Sequence, residues 1–155
     1  MDGLFRLQTT NANGYWVTST NNWVNLTNDV NNRLILFDGS LGYLYAPGWQ
    51  WGNKINDHVL DNWNKGAYWT DNSFFQKGVP IVYLPNGQIA FSGDHGQRLS
   101  LRGANNSFLT WVYWSFTAND PNTLYLTFKK AHLAAEEAKR MEANHPSALI
   151  PVETA

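Results

Sequence analysis

The sequence predicts an all-β chain built from three similar units, and two observations lead to this prediction. An apolar segment, a tight turn and a second apolar segment recur three times, over residues 33–45, 80–91 and 113–128. Each turn contains Asp-Gly, Asn-Gly or Asn-Asp-Pro-Asn between runs of β-branched and aromatic residues, which is typical of β-hairpins. The turns begin at Asp38, Asn86 and Asn119, and a spacing of about 40 residues made of short strands indicates a threefold array.

The composition agrees with many short strands joined by many loops. The chain has 155 residues, of which 19 are Asn, and Asn favours turns while it disfavours both helix and strand. Aromatic residues and charged residues each make up 15% of the sequence. A chain of this length is long enough for one domain with a sizeable core, so we expect a single domain followed by a tail.

Charge and cysteine content exclude several classes of function. The formal net charge is −1, so there is no excess of Lys and Arg for nucleic acid or an anionic membrane. No Cys is present, which excludes a disulfide scaffold and a Cys-based zinc site. The first residues lack the pattern of a signal peptide, and no apolar run reaches membrane-spanning length. We therefore expect a cytoplasmic protein, or one released by a non-classical route, with no membrane insertion.

The strands of the first and third units follow the same plan. In the first unit, alternating patterns predict strands at Leu4–Gln8, Tyr15–Ser19 and Trp23–Thr27, before the segment that begins at Arg33. In the third unit, the corresponding segments are 89–92, 98–101, 107–111 and 113–117, and a last strand over 124–128 closes against the first. The predicted domain therefore spans residues 1–128, with repeats at about 4–40, 41–87 and 88–128.

This layout resembles the β-trefoil superfamily, which includes many sugar-binding lectins. Three units of four strands, with the last strand closing against the first, carry the resemblance. The sequence departs from the ricin-type pattern Gln-X-Trp, because Gln50 directly precedes Trp51. Its Cys-free, aromatic-rich hairpins look more like the trefoils of fungal haemolytic lectins, amaranthin or fascin. The resemblance implies a glycan partner, and in the fungal family a pore-forming module follows the trefoil, which implies a toxin-associated role.

The middle unit contains an insertion over residues 46–65, where the other units have a short turn. The insertion predicts a short helix that begins at Asn56 and ends before Gly66, with Val59, Leu60 and Trp63 on one face. Such an insertion would form an extra platform on one unit.

The insertion is also the richest source of candidate ligand-binding side chains. Sugar recognition requires a flat aromatic face together with planar amide or carboxylate groups. We therefore predict a carbohydrate site formed by Trp49, Trp51, Asn53, Asp57, His58, Asp61, Asn62 and Trp63. The alternative is that these Trp side chains cover the core, which is the usual fate of Trp. Secondary sites are candidates at Asp94, His95, Asn11 and Asn13, although residues of these types also simply form turns.

The sequence gives little support for catalysis or metal binding. Asp57 and Asp61 are four residues apart, but a glycosidase needs two carboxyl groups that flank the scissile bond. His58 has no Cys or second His nearby in the sequence to complete a metal site. Phosphate loops, Gly-X-Ser-X-Gly and a Cys nucleophile are all missing. We therefore expect neither enzymatic activity nor a cofactor.

After Phe128 the composition changes to helix-forming residues. Residues 129–144 are predicted to form a helix with a thin apolar face of Leu133, Ala134, Ala138 and Met141, and Pro146 ends it. This helix either frays, docks weakly, pairs with a second chain to form a homo-oligomer, or leads to a further module. Residues 145–155 are expected to be a disordered tail.

The leading hypothesis from the sequence is a β-trefoil lectin that binds a glycan or glycoconjugate through the insertion of its second repeat. The alternative is a protein–protein interaction module, acting in self-association or as the targeting domain of a larger toxin-like assembly. Trp and Tyr are enriched in both kinds of site, so composition does not separate the two hypotheses.

Overall fold

The computed structural model describes residues 2–29, 32–51, 54–71, 78–101, 111–117 and 119–151, and of residues 50, 51 and 54 it describes only the backbone. Within these ranges the chain is mostly β-strand, which confirms the all-β prediction. The elements in chain order are β1 Gly3–Thr9, β2 Trp16–Thr20, β3 Trp23–Thr27, β4 Ile35–Asp38, β5 Tyr43–Trp51, β6 Lys54–Trp63, β7 Gly66–Asp71, β8 Ile81–Tyr83, β9 Ile89–Phe91, β10 Asp94–Leu101, β11 Val112–Ser115, β12 Leu126–Lys130 and α1 Ala135–Asn144.

Three antiparallel hairpins, β2–β3, β6–β7 and β10–β11, meet one another at a common junction. Trp23 of β3 pairs with Tyr68 of β7, and Gly66 of β7 pairs with Tyr113 of β11. An isolated bridge between Asn25 and Trp111 connects the first and third hairpins. Each hairpin therefore contacts the other two.

The other six strands are connected in a ring. Antiparallel ladders join β12 to β1, β1 to β4, β4 to β5, and β8 to β9. The amide of Ile81 donates a hydrogen bond to the carbonyl of Gly42 at 2.7 Å, next to β5. The amide of Leu126 donates one to the carbonyl of Gly87 at 2.8 Å, close to β9, which completes the ring.

Alternation along the strands divides the apolar residues between two clusters. Inward-facing residues such as Phe5, Leu44 and Leu60 form the main core, with the indoles of Trp69 and Trp114 fully buried in it. Outward-facing residues form a second cluster with the C-terminal segment: Leu4, Leu36, Tyr45, Val59, Leu133, Ala138, Met141 and Ile150. These strands are buried on both faces because α1 covers their outer side.

The third of the three recurrent segments is not a hairpin. Residues 33–45 and 80–91 form the predicted β4–β5 and β8–β9 hairpins. In residues 113–128, however, β11 pairs with β10 and β7, whereas β12 pairs with β1. The strand that pairs with β12 is β1, so the first and last strands of the chain are joined to each other.

The predicted short helix within residues 46–65 is wrong, because this segment belongs to an extended hairpin. Strand β6 runs through it with partners on both sides, β5 and β7. Its backbone groups are therefore satisfied by two ladders, which outweigh the local preference for helix capping at Asn56.

The C-terminal helix is confirmed, but it is shorter than predicted. Lys129 and Lys130 extend β12 opposite Arg6 and Phe5, so the helix begins only at Ala135. The part of the predicted disordered tail that is described instead packs on the sheet: Ile150 is buried, and the carbonyl of Pro151 accepts a hydrogen bond from Leu133 at 3.3 Å.

Candidate functional site

The outer face of strand β6 is covered in its first half and open in its second. Asp57, Val59, Asp61 and Trp63 alternate onto this face. Val59 is fully buried in the cluster that includes α1, and Asp57 is bound to residues of the same C-terminal segment. The side chain of Trp63, in contrast, is 60% exposed. The helix thus leaves the end of β6 available to a ligand.

Four aromatic side chains from the three hairpins form a continuous row on this side, which we call the aromatic strip: Trp63, Tyr68, Trp23 and Trp111. The rings of Trp63 and Tyr68 lie 5.9 Å apart, inclined at 35°. Trp23 packs edge-on against Tyr68 at 4.9 Å and against Trp111 at 6.5 Å. The strip has one highly exposed end, at Trp63, and a half-buried body that holds it in place.

Local backbone geometry fixes the exposed end of the strip. Asn64 and Lys65 have φ of 49° and 71°, which makes a two-residue turn with positive φ at both positions, a turn that matches the twist of a β-hairpin. At Gly66, a Cβ atom would lie 2.5 Å from the Trp23 ring. Only glycine therefore allows the indole of Trp23 to lie directly on the backbone of β7.

Polar groups flank the aromatic strip. Asp61 lies directly opposite Tyr68 in the ladder, and its carboxylate accepts hydrogen bonds from Thr70 Oγ1 at 3.0 Å and from the Asn62 amide at 2.8 Å. Each carboxylate oxygen has a second lone pair, so Asp61 retains acceptor capacity. Asn62 is exposed, and its Oδ1 accepts the Lys65 amide at 2.8 Å.

A second exposed aromatic ring lies beside the turn. Phe116 is 57% exposed, and the ammonium group of Lys65 lies 4.7 Å from its ring centre. This cation–π contact connects Phe116 to the hairpin that carries Trp63.

Trp49 does not provide the platform that the sequence predicts. The ring of His58 stacks on Trp49 at 3.9 Å and 15°, and the guanidinium carbon of Arg33 lies 4.0 Å from the Trp49 ring centre. Two groups this close to one ring cannot share a face, so both faces of Trp49 are covered. The side chain of Trp51 and the whole of Asn53 lie outside the described residues.

Asp57 and His58 are also structural residues. Asp57 is buried, and its carboxylate accepts hydrogen bonds from the Gly48 amide at 2.9 Å, Arg140 at 3.2 Å and His145 at 2.6 Å. Burial alone would raise the pKa of Asp57, but the bond from His145, the Gly48 amide and the charge of Arg140 lower it to about 2. Burial lowers the pKa of His58 despite the nearby Asp71 carboxylate, so its stacked imidazole is neutral at pH 7.

The secondary candidates mostly have turn-forming roles. The Asn11 side chain donates to the Thr123 carbonyl at 2.8 Å and accepts from the Tyr125 amide at 3.0 Å, which joins the first loop to the segment before β12. Asn13 adopts a φ of 58° in that loop. Asp94 accepts the Gly96 amide at 3.0 Å, and His95 is exposed beside it.

The sequence does not single out Trp23, Tyr68 or Trp111 as members of a site. A signal for the first two is nevertheless present, because Trp23-Val24 and Tyr68-Trp69 each place an aromatic ring outward and an apolar side chain in the core. Tyr113-Trp114 repeats this pattern in the third hairpin, which indicates equivalent positions.

The described residues contain neither a cluster of metal-binding side chains nor a membrane-spanning helix. No group of three or more His, Asp or Glu side chains there is arranged to hold a metal ion. Among the same residues, α1 is the only helix, and it is neither long nor apolar enough to cross a membrane.

Comparison with known proteins assigns no relative to the chain. No protein-family model matches the sequence, and no curated protein and no solved structure is significantly similar to it.

Proposed function

We propose that the chain is a carbohydrate-binding protein with a β-trefoil fold, and that it binds a saccharide on the exposed end of the aromatic strip. The observation that carries this proposal is the side chain of Trp63, which is 60% exposed beside Tyr68 and next to the carboxylate of Asp61.

The strand pairings support the β-trefoil part of the proposal. Six strands connected in a ring, with three further hairpins that contact one another at one end, are the arrangement that this fold requires. The long β5–β6 hairpin and α1 are additions to that plan, and both lie on the middle unit or against it.

The chemistry of the open half of β6 supports a saccharide as the ligand. The C–H groups of a pyranose pack on an aromatic face, and its hydroxyl groups bind carboxylate and amide groups at the edge of that face. Trp63 supplies the face, and Asp61, which lies on the same face of β6, supplies a carboxylate; Asn62 is exposed between them at the end of the same hairpin. Strand β6 pairs with β7 as far as Trp63 and Gly66, so the backbone of the site is hydrogen-bonded before a ligand binds.

Of the side chains predicted from the sequence, the proposal keeps Asp61, Asn62 and Trp63. It adds Tyr68 and Trp23, which hold the platform. Trp49 and His58 are removed because their rings stack on each other and Arg33 lies on Trp49, and Asp57 is removed because its carboxylate already binds Arg140 and His145.

Binding to a panel of immobilised glycans tests the proposal, with the wild-type chain and Trp63→Ala compared at equal concentration. Phe116→Ala is the matched control, because it also removes an exposed ring but not the one beside Asp61. We expect the wild type to bind at least one glycan, Trp63→Ala to lose at least tenfold in affinity, and Phe116→Ala to change little. Equal glycan binding by Trp63→Ala and the wild type would contradict the proposed site.

One observation favours a second function, a protein interface. Phe116 and Trp63 are both more than half exposed, and aromatic residues are enriched at the centres of interfaces. Under this alternative, no glycan binds, and the mass measured by light scattering rises with concentration for the wild type but not for Trp63→Ala or Phe116→Ala. The two functions therefore predict different results for Phe116→Ala.

A further inference from the structure

A pocket of about 460 Å³ lies on another part of the surface, between β2, the segment that precedes β4, and Pro47 of β5. Its described lining includes two guanidinium groups, Arg6 and Arg33, and the polar residues Thr18, Ser19 and Asn32. No Asp or Glu is among these lining residues. A chain with a net charge of −1 thus places two cations in one pocket without an acidic partner.

Arg33 is held in a fixed orientation. Its Nε donates a hydrogen bond to Ser19 Oγ at 2.9 Å, and its planar group lies on the ring of Trp49. Within the described part of the chain, its two terminal nitrogens have no hydrogen-bond acceptor and no carboxylate partner. Burial lowers the pKa of Arg33, because a partly desolvated cation lacks a compensating charge.

Arg6 is also held in place by a hydrogen bond, and a third cation lies opposite it in the sheet. One of its terminal nitrogens donates a hydrogen bond to the carbonyl of Asn32. Lys129 of β12 lies directly opposite Arg6 in the ladder. Side chains directly opposite each other lie on one face of a sheet, and like charges in that position repel. Two cations therefore line the pocket, and a third, Lys129, lies opposite one of them on the neighbouring strand.

We propose that this pocket binds a small oxyanion: a carboxylate, sulfate or phosphate group. A guanidinium group presents a planar set of N–H donors that matches such a group, and charge-assisted hydrogen bonds of this kind are strong. Ser19 also lines the pocket, and its hydroxyl group, which accepts the bond from Arg33 Nε, is able to donate to a remaining oxygen.

This site is independent of the proposed saccharide platform, since Arg6, Arg33 and Lys129 belong neither to the aromatic strip nor to the polar groups beside it. The anion either is free in solution or is carried by a larger ligand such as an acidic sugar. A free anion and a sugar-borne anion would bind through the same hydrogen bonds. The test therefore uses a probe of each kind to distinguish them.

The test is an NMR titration of the ¹⁵N-labelled full chain with sodium sulfate, at an ionic strength held constant with sodium chloride. The resonances to follow are Arg33 Nε–H and the indole N–H of Trp49. The variants are Arg33→Gln and Arg6→Gln, and Lys139→Gln is the control because it removes an exposed charge on α1. Arg6→Gln leaves the stacking on Trp49 intact, so the test does not depend on Arg33→Gln folding normally.

We expect saturable shifts in the wild type and in Lys139→Gln, and at least tenfold weaker binding in each arginine variant. Absence of a sulfate-specific shift in the wild type, or unchanged affinity in Arg6→Gln, would overturn the proposal. Methyl glucuronide and methyl glucoside then identify the source. Tighter binding of the glucuronide than of sulfate indicates a sugar-borne anion, and equal binding indicates a free one; the neutral glucoside should leave both resonances unchanged.

These outcomes are separate from those of the proposed function. If the chain binds sulfate but no glycan, the anion-site proposal is supported and the saccharide-site proposal is contradicted. A chain that binds glycans through Trp63 but not sulfate gives the opposite result.

Discussion

Two carboxylates on one strand face show how much a single residue's role depends on its neighbours. Asp57 and Asp61 lie four residues apart on the outer face of β6. Asp57 is buried under the C-terminal segment and binds Arg140 and His145, whereas Asp61 lies beside the open end of the aromatic strip. The sequence assigns both to a sugar site, because it does not reveal which of them α1 covers.

The lowered pKa of Asp57 predicts a loss of stability in acid. The pKa of Asp57 is about 2 in the folded chain, against an ordinary value of 3.8. Above about pH 5 the carboxylate is ionised in both states, so the bonds to Asp57 stabilise the folded chain in full. As the pH falls from about 4 to about 2, the unfolded chain takes up the proton first, so the free energy of unfolding falls by about 2 kcal/mol.

Urea denaturation of the wild type and Asp57→Asn between pH 2 and pH 5 measures this contribution. The variant should be less stable than the wild type at pH 5, because Arg140 and His145 lose their buried partner. The difference between the two proteins should shrink by about 2 kcal/mol toward pH 2. A difference that stays constant over this range would show that Asp57 does not have a lowered pKa.

The roles of two Trp residues also depend on the side chains that surround them in the fold. Trp49 lies on β5 and Trp63 on β6, and the sequence predicts both as platforms for a sugar. Trp49 is covered by Arg33, which is 16 residues away in the chain, while Trp63 is at a turn and has no such cover. A pattern of aromatic and polar residues in the sequence identifies the segment that carries candidate ligand-binding side chains. It does not show which of them are covered, because the side chains that cover them come from other segments of the chain.

At the level of elements, the strands are well predicted because period-two alternation and turn residues are local signals. Most described strands fall within a residue or two of the predicted segments, and the turns at Asp38 and Asn86 form hairpins as expected. The helix predicted at Asn56 is wrong because two neighbouring strands stabilise β6. The prediction of a third hairpin is wrong because β12 pairs with β1, which lies more than 100 residues earlier in the chain.

The C-terminal helix is the element whose role changes most. Its apolar residues suggested pairing with a second chain, but Ala138 and Met141 are fully buried against the sheet of the same chain. Ala134, the fourth residue of the predicted face, is exposed. The surface expected to form a homo-oligomer is therefore already occupied.

Replacing Met141 by alanine tests the docking of α1. The side chain is fully buried, so its loss leaves a cavity, and the free energy of unfolding should fall by about 2–5 kcal/mol. Glu142→Ala is the matched control on the exposed side of the same turn, and it should change the stability by less than about 0.5 kcal/mol. Urea denaturation measures both. Equal stabilities of the two variants would mean that α1 does not pack on the sheet in solution.

At the level of the whole molecule, three hairpins meet at one junction, but they differ in the side chains that they expose there. Each of the three hairpins contributes to the junction on which the aromatic strip is built, yet among the described residues only the β6–β7 hairpin exposes a Trp beside a carboxylate. α1 covers the other half of that hairpin and ties it to the end of the chain. The open half of β6 is therefore the surface to which we assign a ligand.

The most direct test of this assignment is an NMR titration of the ¹⁵N-labelled wild-type chain with a glycan selected from the panel, which follows the indole N–H signals of its eight Trp residues. The account predicts a saturable shift of the Trp63 signal, with little change for Trp49, Trp69 and Trp114, whose rings are covered or buried. A shift confined to Trp49, with Trp63 unchanged at saturation, would contradict it.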